Sequence, residues 1–578
     1  LSARVTEAVL IAGGLAVLVG AVAMLAPAIR HASKPLPTIT IGASRRAESC
    51  LVCHADTQGL GAAHAELGCS PCHLGDPTAR EERVAHRGME LLPGDLHTSA
   101  RTCGQGACHP VEHARVQTSL MARAPGLLAV DRFAFGERAT PDGDDTDDLP
   151  GLDLRRGPIS PAESHVRKLC GSCHLGVRKE KPGDLGEAAR GGGCAACHLG
   201  RPDLRGVPRG GPLHPDVPAH VPERRCVGCH ARSGRISLSY RGVVELEPGD
   251  PRVVGALWDG RPAGTAPADV HAKAGMTCID CHTERELMGD GTPRRHAHEG
   301  LETACADCHG ATVGPRAEDA TTPDRERVAE LLRKAWARAG MPALPAGPPL
   351  RTRTGTPLWR THAPTSSLAL AETGARLAIP KAKAGPHHAL AGHERLDCQA
   401  CHTQWAPRCT SCHTRFDPNG EDVDHATGLV TKGRWVETAG GNGYGPPALA
   451  IGPRGTIGPY VEGMHLTIEN VIDTPIERTL WAPLDAHTTG PARACASCHD
   501  PMVVPAVSPH SGETTRSAPA RLLSADERER MARVGRCLPC HATYEDAVWR
   551  SFAESVERLA GRATARRDDK IRRCQGTP

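Results

Sequence analysis

Twelve copies of one short pattern, cysteine, gap, cysteine, histidine, run through this 578-residue chain and constrain its fold more than any other feature. Eleven have the spacing C-x-x-C-H and open at Cys50, Cys69, Cys170, Cys194, Cys226, Cys278, Cys305, Cys398, Cys409, Cys495 and Cys537. The twelfth is stretched, running from Cys103 to Cys108 and His109. The other second cysteines are Cys53, Cys72, Cys173, Cys197, Cys229, Cys281, Cys308, Cys401, Cys412, Cys498 and Cys540. Two thiols per copy use 24 of the 25 cysteines and leave Cys574 over. Zinc sites and disulfide frameworks do not require a histidine after every second cysteine. Haem c does: the thiols form thioethers to the porphyrin, and the histidine ligates iron from the proximal side. The sequence therefore predicts twelve covalently bound haem c groups. Their proximal ligands are His54, His73, His109, His174, His198, His230, His282, His309, His402, His413, His499 and His541.

Composition says what would hold such a chain together. Phe, Tyr and Trp make up 3% of the residues, against 63 glycines and 49 prolines. A chain of this length normally divides into several domains, each with its own apolar core, and large side chains are too scarce here for that. Porphyrins would supply the missing apolar surface, so the expected fold is mostly irregular and α-helical with little β, with stacked haems as its core. The formal charge of +3 becomes roughly −9 when twelve ferric haems of about −1 each are counted. Dispersed basic residues and few stacking aromatics argue against nucleic acid as a partner.

Ala8 to Ile29 carries no charge and would span about 33 Å as a helix, enough to cross a bilayer. It reads as an N-terminal transmembrane anchor over residues 1–31, with a signal peptide cleaved near Ala26-Pro27-Ala28 as its rival. A tether at 32–49 follows. The first three-haem unit spans 50–117, an acidic linker insertion 118–164, and a second three-haem unit 165–235. Gly68-Cys69-Ser70-Pro71-Cys72-His73-Leu74-Gly75 parallels Gly193-Cys194-Ala195-Ala196-Cys197-His198-Leu199-Gly200, so the second unit repeats the first. Beyond lie a two-haem unit (236–313), a haem-poor segment (314–386), a two-haem unit (387–413), a Gly-rich haem-free element (414–486) suited to a small β element, and a two-haem C-terminal segment (487–578) with a terminal helix. The haem-poor segment predicts a helix capped by Thr322, with Pro323 in its first turn and Val328, Leu331, Leu332, Ala335 and Ala339 on one face before Gly340. The acidic run Asp142, Asp144, Asp145, Asp147 and Asp148 reads as a solvated loop rather than a calcium site, lacking EF-hand spacing.

Nineteen of the 31 histidines lie outside the motifs, enough to give every iron a second imidazole. His64, His97, His165, His220, His271, His298, His393 and His487 each precede a motif by five to eight residues. They are the first candidates for distal ligands; His86, His214, His388 and His510 complete the set of twelve, with His387, His425, His465, His113 and His296 in reserve. Iron held by two imidazoles has no position for substrate, so it exchanges electrons without other chemistry, at low potential. Met121 and Met502 are candidate methionine ligands.

Several of these residues carry a family likeness. The wide Cys103–His109 gap resembles one used by class III cytochromes c, and each trio resembles a three-haem cytochrome of the c7 or c3 type. Met276-Thr277-Cys278-Ile279-Asp280-Cys281-His282-Thr283, the tight pair from Cys398 to His413, and His541 with Tyr544, Trp549 and Ser551 resemble the large multihaem cytochromes c of anaerobic respiratory bacteria. In those, histidines placed just upstream often serve a neighbouring haem. That family continues its last motif to a histidine, where this chain has Phe552 and Ala553. The resemblance implies electron relay, in anaerobic respiration or extracellular electron transfer, between a quinol-oxidising membrane partner and periplasmic or extracellular acceptors. It implies no enzyme activity and a place on the periplasmic side of the cytoplasmic membrane, or secretion to the cell surface. Two alternatives are a nitrite, hydroxylamine or sulfur-oxyanion reductase with one open iron, and a protomer of a cytochrome filament.

Overall fold

The computed structural model describes residues 14, 19–21, 35–41, 44–143, 148–149, 159–179, 190–202, 211–310, 323–382, 388, 390, 392–461, 464–500, 513–514, 520–541, 543 and 546–550. It has about 31% helix and 21% strand, the latter in seven small sheets. This overturns the expectation of a mostly irregular and helical fold with little β. Among the described residues no helix is long and apolar enough to cross a membrane, so the expected transmembrane helix is not found. Of the stretch Ala8 to Ile29, only Gly14 and Val19 to Ala21 are described, all helical.

The strands are where haem motifs are sparse. β1 (Ser411–Asp424) pairs antiparallel with β2 (Leu429–Gly440) and parallel with β3 (Met464–Glu469). β4 (Ile476–Trp481) and β5 (Glu513–Thr514) complete a five-stranded sheet in the order β2-β1-β3-β4-β5. Alternation explains it: Cys412, Thr414, Trp435, Leu466 and Ile468 are buried, while His413 and Arg415 between them are exposed. The buried face packs against Phe133, Ala134, Phe135 and Ala162. The sheet is tied down by a buried ion pair, Arg167 with Asp424 at 2.6 Å. The Gly-rich element is thus larger than its composition suggested, and it begins inside the motif at Cys409.

The chain divides into two compact units: Leu1–Ala114 with Gly192–Pro218, and Arg115–Gly191 with Ala219–Pro578. The segment around Cys194 therefore leaves the second trio and joins the first. Its backbone is bound there by Cys194 N–H to the Gly94 carbonyl (2.8 Å) and by reciprocal bonds between Gln58 and the Pro212–His214 strand. Gly193 makes this approach possible. Its φ is +54°, and a Cβ would sit 2.4 Å from the Gly94 oxygen. Gly68, its counterpart in the repeat, also has positive φ.

Among the described residues the apolar side chains form six separate clusters, the largest of nine buried residues. The expected helix forms at Pro323–Arg338; Thr322 lies outside the described residues. Its buried face is Val328, Ala329 and Trp336, while Leu331 and Ala339 are exposed, correcting the expected stripe. Trp336 wins because its ring meets Trp359 edge-on at 5.8 Å and its indole N–H donates to the Pro342 carbonyl. In the acidic run, Asp148 is paired with Arg123 at 2.9 Å; Asp144, Asp145 and Asp147 lie outside the described residues.

Candidate haem-attachment sites

Eight of the twelve motifs lie on a single helical turn, at Cys50–Cys53, Ser70–His73, Cys194–His198, Arg224–His230, Cys278–Cys281, Cys305–His309, Cys398–His402 and Ala496–His499. The turn suits the chemistry: residues i, i+3 and i+4 share one side of a helix, so both thiols and the imidazole face one ligand. The turn closes when the histidine N–H donates to the first cysteine's carbonyl, as in His54 to Cys50 (2.8 Å) and His282 to Cys278 (2.9 Å). The stretched motif closes identically, His109 N–H to the Cys103 carbonyl at 2.9 Å, so its two extra residues bulge without moving the ends. The motif at Cys537 closes the same way at 3.0 Å.

Two motifs depart. At Cys170 the chain leaves a π-helical turn (Val166–Cys170) for a 3₁₀ turn (Gly171–Cys173). The His174 Nε2 there meets the Ala122 carbonyl, while its Nδ1 accepts from the Gly176 N–H. At Cys409 the motif runs into β1, where the pleat turns buried Cys412 and exposed His413 to opposite faces.

The imidazoles show a consistent arrangement. Seven motif histidines face another histidine at ring-centroid separations of 5.7 to 6.4 Å: His54 with His86, His109 with His64, His73 with His214, His309 with His271, His282 with His487, His402 with His388, and His499 with His393. Every partner is one of the distal candidates. Two metal–imidazole bonds of about 2 Å, plus the two ring radii of about 1.1 Å, require a separation of about 6 Å.

Tautomers sharpen the point. His73 Nδ1 donates to the Glu90 carbonyl (2.7 Å), and His214 Nδ1 to the Pro215 carbonyl (2.6 Å). Both Nε2 atoms are then lone-pair acceptors, yet they point at each other across 3.4 Å. Two acceptors face to face repel unless a cation lies between them. The outer N–H groups are spent likewise in His309 (Nδ1 to Pro380 carbonyl, 2.7 Å) and His271 (Nδ1 to Asp269, 2.8 Å), whose rings stand 5.9 Å apart. They are spent too in His282 (Nδ1 to Glu286, 2.8 Å) and His487 (Nδ1 to the Asp485 carbonyl, 3.1 Å), 6.1 Å apart. A metal-ligating histidine characteristically gives its other N–H to a carboxylate or carbonyl in this way. His198, His402, His499 and His541 are held likewise, by the Pro218, Gly490 and Met531 carbonyls and by Asp546. Burial pushes the His64, His73, His198, His230, His393 and His499 pKa values down, keeping them neutral as ligation requires.

No family model matches this chain. No curated protein and no solved structure matches it either.

The remaining candidates are placed as follows. His165 is buried, with Nδ1 on Asp131 (2.9 Å) and Nε2 without a partner beside the Phe135 and Trp435 rings. His97 and His220 are exposed, and His298 stacks on His296 at 5.7 Å. His510 and Met502 lie outside the described residues. Among the reserves, His465 is bound to Glu477 at 2.6 Å. Sequence reasoning missed the outer partners Glu286, Asp269, Asp131 and Asp546. Glu286 had a readable signal, standing four residues after His282, one helical turn away. Replacing Glu286 by Gln keeps the acceptor but removes the charge that makes the imidazole a stronger donor. A haem held at the Cys278 motif would then rise in potential by about 59 mV, a tenfold change in its one-electron equilibrium, read by spectroelectrochemistry against wild type.

Proposed function

We propose that this chain carries twelve covalently bound haem c groups and relays electrons along them. Bound there, each haem would supply a one-electron ferric/ferrous couple. The observation that carries the reading is the pair His73/His214, Nε2 to Nε2 at 3.4 Å with both outer N–H groups spent, together with the ring pairs His309/His271 and His282/His487, whose outer N–H groups are spent as well. In the motifs closed on a helical turn the two thiols would tether the porphyrin, and the seven pairs of imidazoles would hold the iron. Saturated iron leaves no place for substrate, and rigidly held ligands move little when charge changes. Both properties suit transfer between a quinol-oxidising membrane partner and periplasmic or extracellular acceptors.

The test is His487→Ala. Intact mass should still show twelve haems, while low-temperature EPR should convert one low-spin ferric haem to high spin. Twelve haems with no new high-spin signal would overturn the axial assignment; a mass short of twelve would overturn the stoichiometry.

One observation favours a reductase as second reading. The His541 ring faces Trp549 at 6.3 Å, and an indole cannot ligate iron. A high-spin ferric signal in the wild-type protein, lost in Cys537→Ser/Cys540→Ser, would place substrate chemistry at this last motif; only low-spin signals would remove that reading.

A further inference from the structure

We infer that the attachment sites of each compact unit form a single line: Cys50, Cys69, Cys103, Cys194 in the smaller unit, in chain order but passing over the Cys170 motif, and Cys409, Cys170, Cys226, Cys278, Cys305, Cys398, Cys495, Cys537 in the larger, where Cys409 stands ahead of its place in the chain. The inference rests on the haem reading above. Three independent features of the chain trace it.

The thiols are the first. In the smaller unit the Cys50 thiol lies beside Cys69, Cys103 beside Cys194, and Cys72 near Cys103 and Cys108, with the Gln105 side chain donating to the Pro71 carbonyl (3.1 Å) between these last two motifs. In the larger unit Cys173 lies beside Cys229, Cys226 beside Cys278, whose thiol also meets Glu223, and Cys305 beside Cys398. Cys170 lies near Cys412, Cys281 near Cys308, and Cys401 near Cys498. Each interior motif thus meets one neighbour on either side. The helix Ala525–Gly535, which runs into Cys537, packs on Ala496–His499 and takes the His499 N–H on its Met531 carbonyl. That sets the Cys537 motif beyond the Cys495 motif.

The crossing histidines are the second. His64 stands upstream of Cys69 but faces His109 of the Cys103 motif. His271, upstream of Cys278, faces His309 of the Cys305 motif. His393, upstream of Cys398, faces His499 of the Cys495 motif. In each case the histidine reaches the next motif that the thiols indicate.

The third is a strap from His487 to Cys495. His487 faces His282 of the Cys278 motif. Thr489 donates its N–H to Asp269 (2.6 Å), the carboxylate beneath His271 and so beneath the Cys305 site. The Gly490 carbonyl then holds His402 of the Cys398 motif, and the strap ends in the Cys495 motif itself. Its eight residue-to-residue steps span at most about 26 Å, and it touches four successive sites in the inferred order.

The holoprotein tests this directly. Iron positions from anomalous diffraction should place the Cys278 iron between those of Cys226 and Cys305, and the Cys398 iron between those of Cys305 and Cys495. Any other neighbours would overturn the order, while an intact mass below twelve haems would instead overturn the reading beneath it. A solution measurement uses His487→Ala as a high-spin tag at the Cys278 site. Adding His271→Met raises the potential of the adjacent Cys305 haem, so its reduction by the first electron equivalents should change the tag's EPR splitting. Adding His393→Met, which acts two sites further on at Cys495, should leave the splitting unchanged. Equal responses to the two variants would sink the order.

Discussion

Expressed without covalent haem attachment, this chain is expected to lose most of its tertiary structure. Among the described residues the apolar side chains form six separate clusters, and between them stand motifs whose histidines meet other histidines. Conformational entropy opposes folding by about 1–2 kcal/mol per residue, and clusters of three to nine buried side chains do not offset it. The opposed Nε2 nitrogens of His73 and His214 add repulsion when nothing lies between them. Circular dichroism and limited proteolysis of the haem-free chain check this. The five-stranded sheet, with Phe135, Trp435, Leu466 and Leu480 in its own core, is the part expected to resist longest. A cooperative thermal transition of the whole haem-free chain would contradict this expectation.

The second large effect is expected at Arg360. Its guanidinium is paired with Asp280, whose side chain is fully buried, and also donates to the Ile279 carbonyl at 2.5 Å. Asp280 in turn accepts from the Thr277 N–H (2.7 Å) and hydroxyl (3.0 Å) and from the Ala371 N–H (3.0 Å). Both residues belong to the packing of the Cys278 motif, midway in the inferred series. Arg360→Met leaves a buried carboxylate without its counter-charge, a loss of about 3–5 kcal/mol. Guanidinium unfolding of the holoprotein should show a midpoint well below wild type. Adding Asp280→Asn should recover much of the loss, because removing both charges removes the desolvation cost. Failure of the double variant to recover would assign the effect instead to the carbonyls that Arg360 also bonds, Ile279 at 2.5 Å and Ala369 at 3.3 Å.

Legibility varied with the range of the interaction. The helix at Pro323–Arg338 was readable because a proline start and 3.6-residue periodicity act within one element; its buried face was not, because Trp336 is buried by Trp359 and Pro342. The sheet was underestimated for a related reason. β1 carries a haem motif and mixed polar residues, and its alternation becomes a buried face only against Phe133 and Phe135, far away in sequence. Seven of the twelve distal candidates were brought opposite a motif histidine, but no spacing rule could assign them, since His271 serves a site beyond the motif it precedes.

What the sequence determined by itself is the make-up of each motif: two thiols and an imidazole within five residues, or seven in the stretched copy, a local geometry that one helical turn supplies in eight of the twelve. It also determined that spare histidines suffice for second ligands. Tertiary structure alone decided which histidine meets which motif, which outer carboxylate or carbonyl fixes its tautomer, and in what order the motifs stand. Those relations join residues tens to hundreds of positions apart, as with His73 and His214 or His282 and His487. They exist only once the chain has folded back on itself. The strand at Cys412–His413 shows the same principle in reverse: an intact local motif is turned to opposite faces by the sheet it enters.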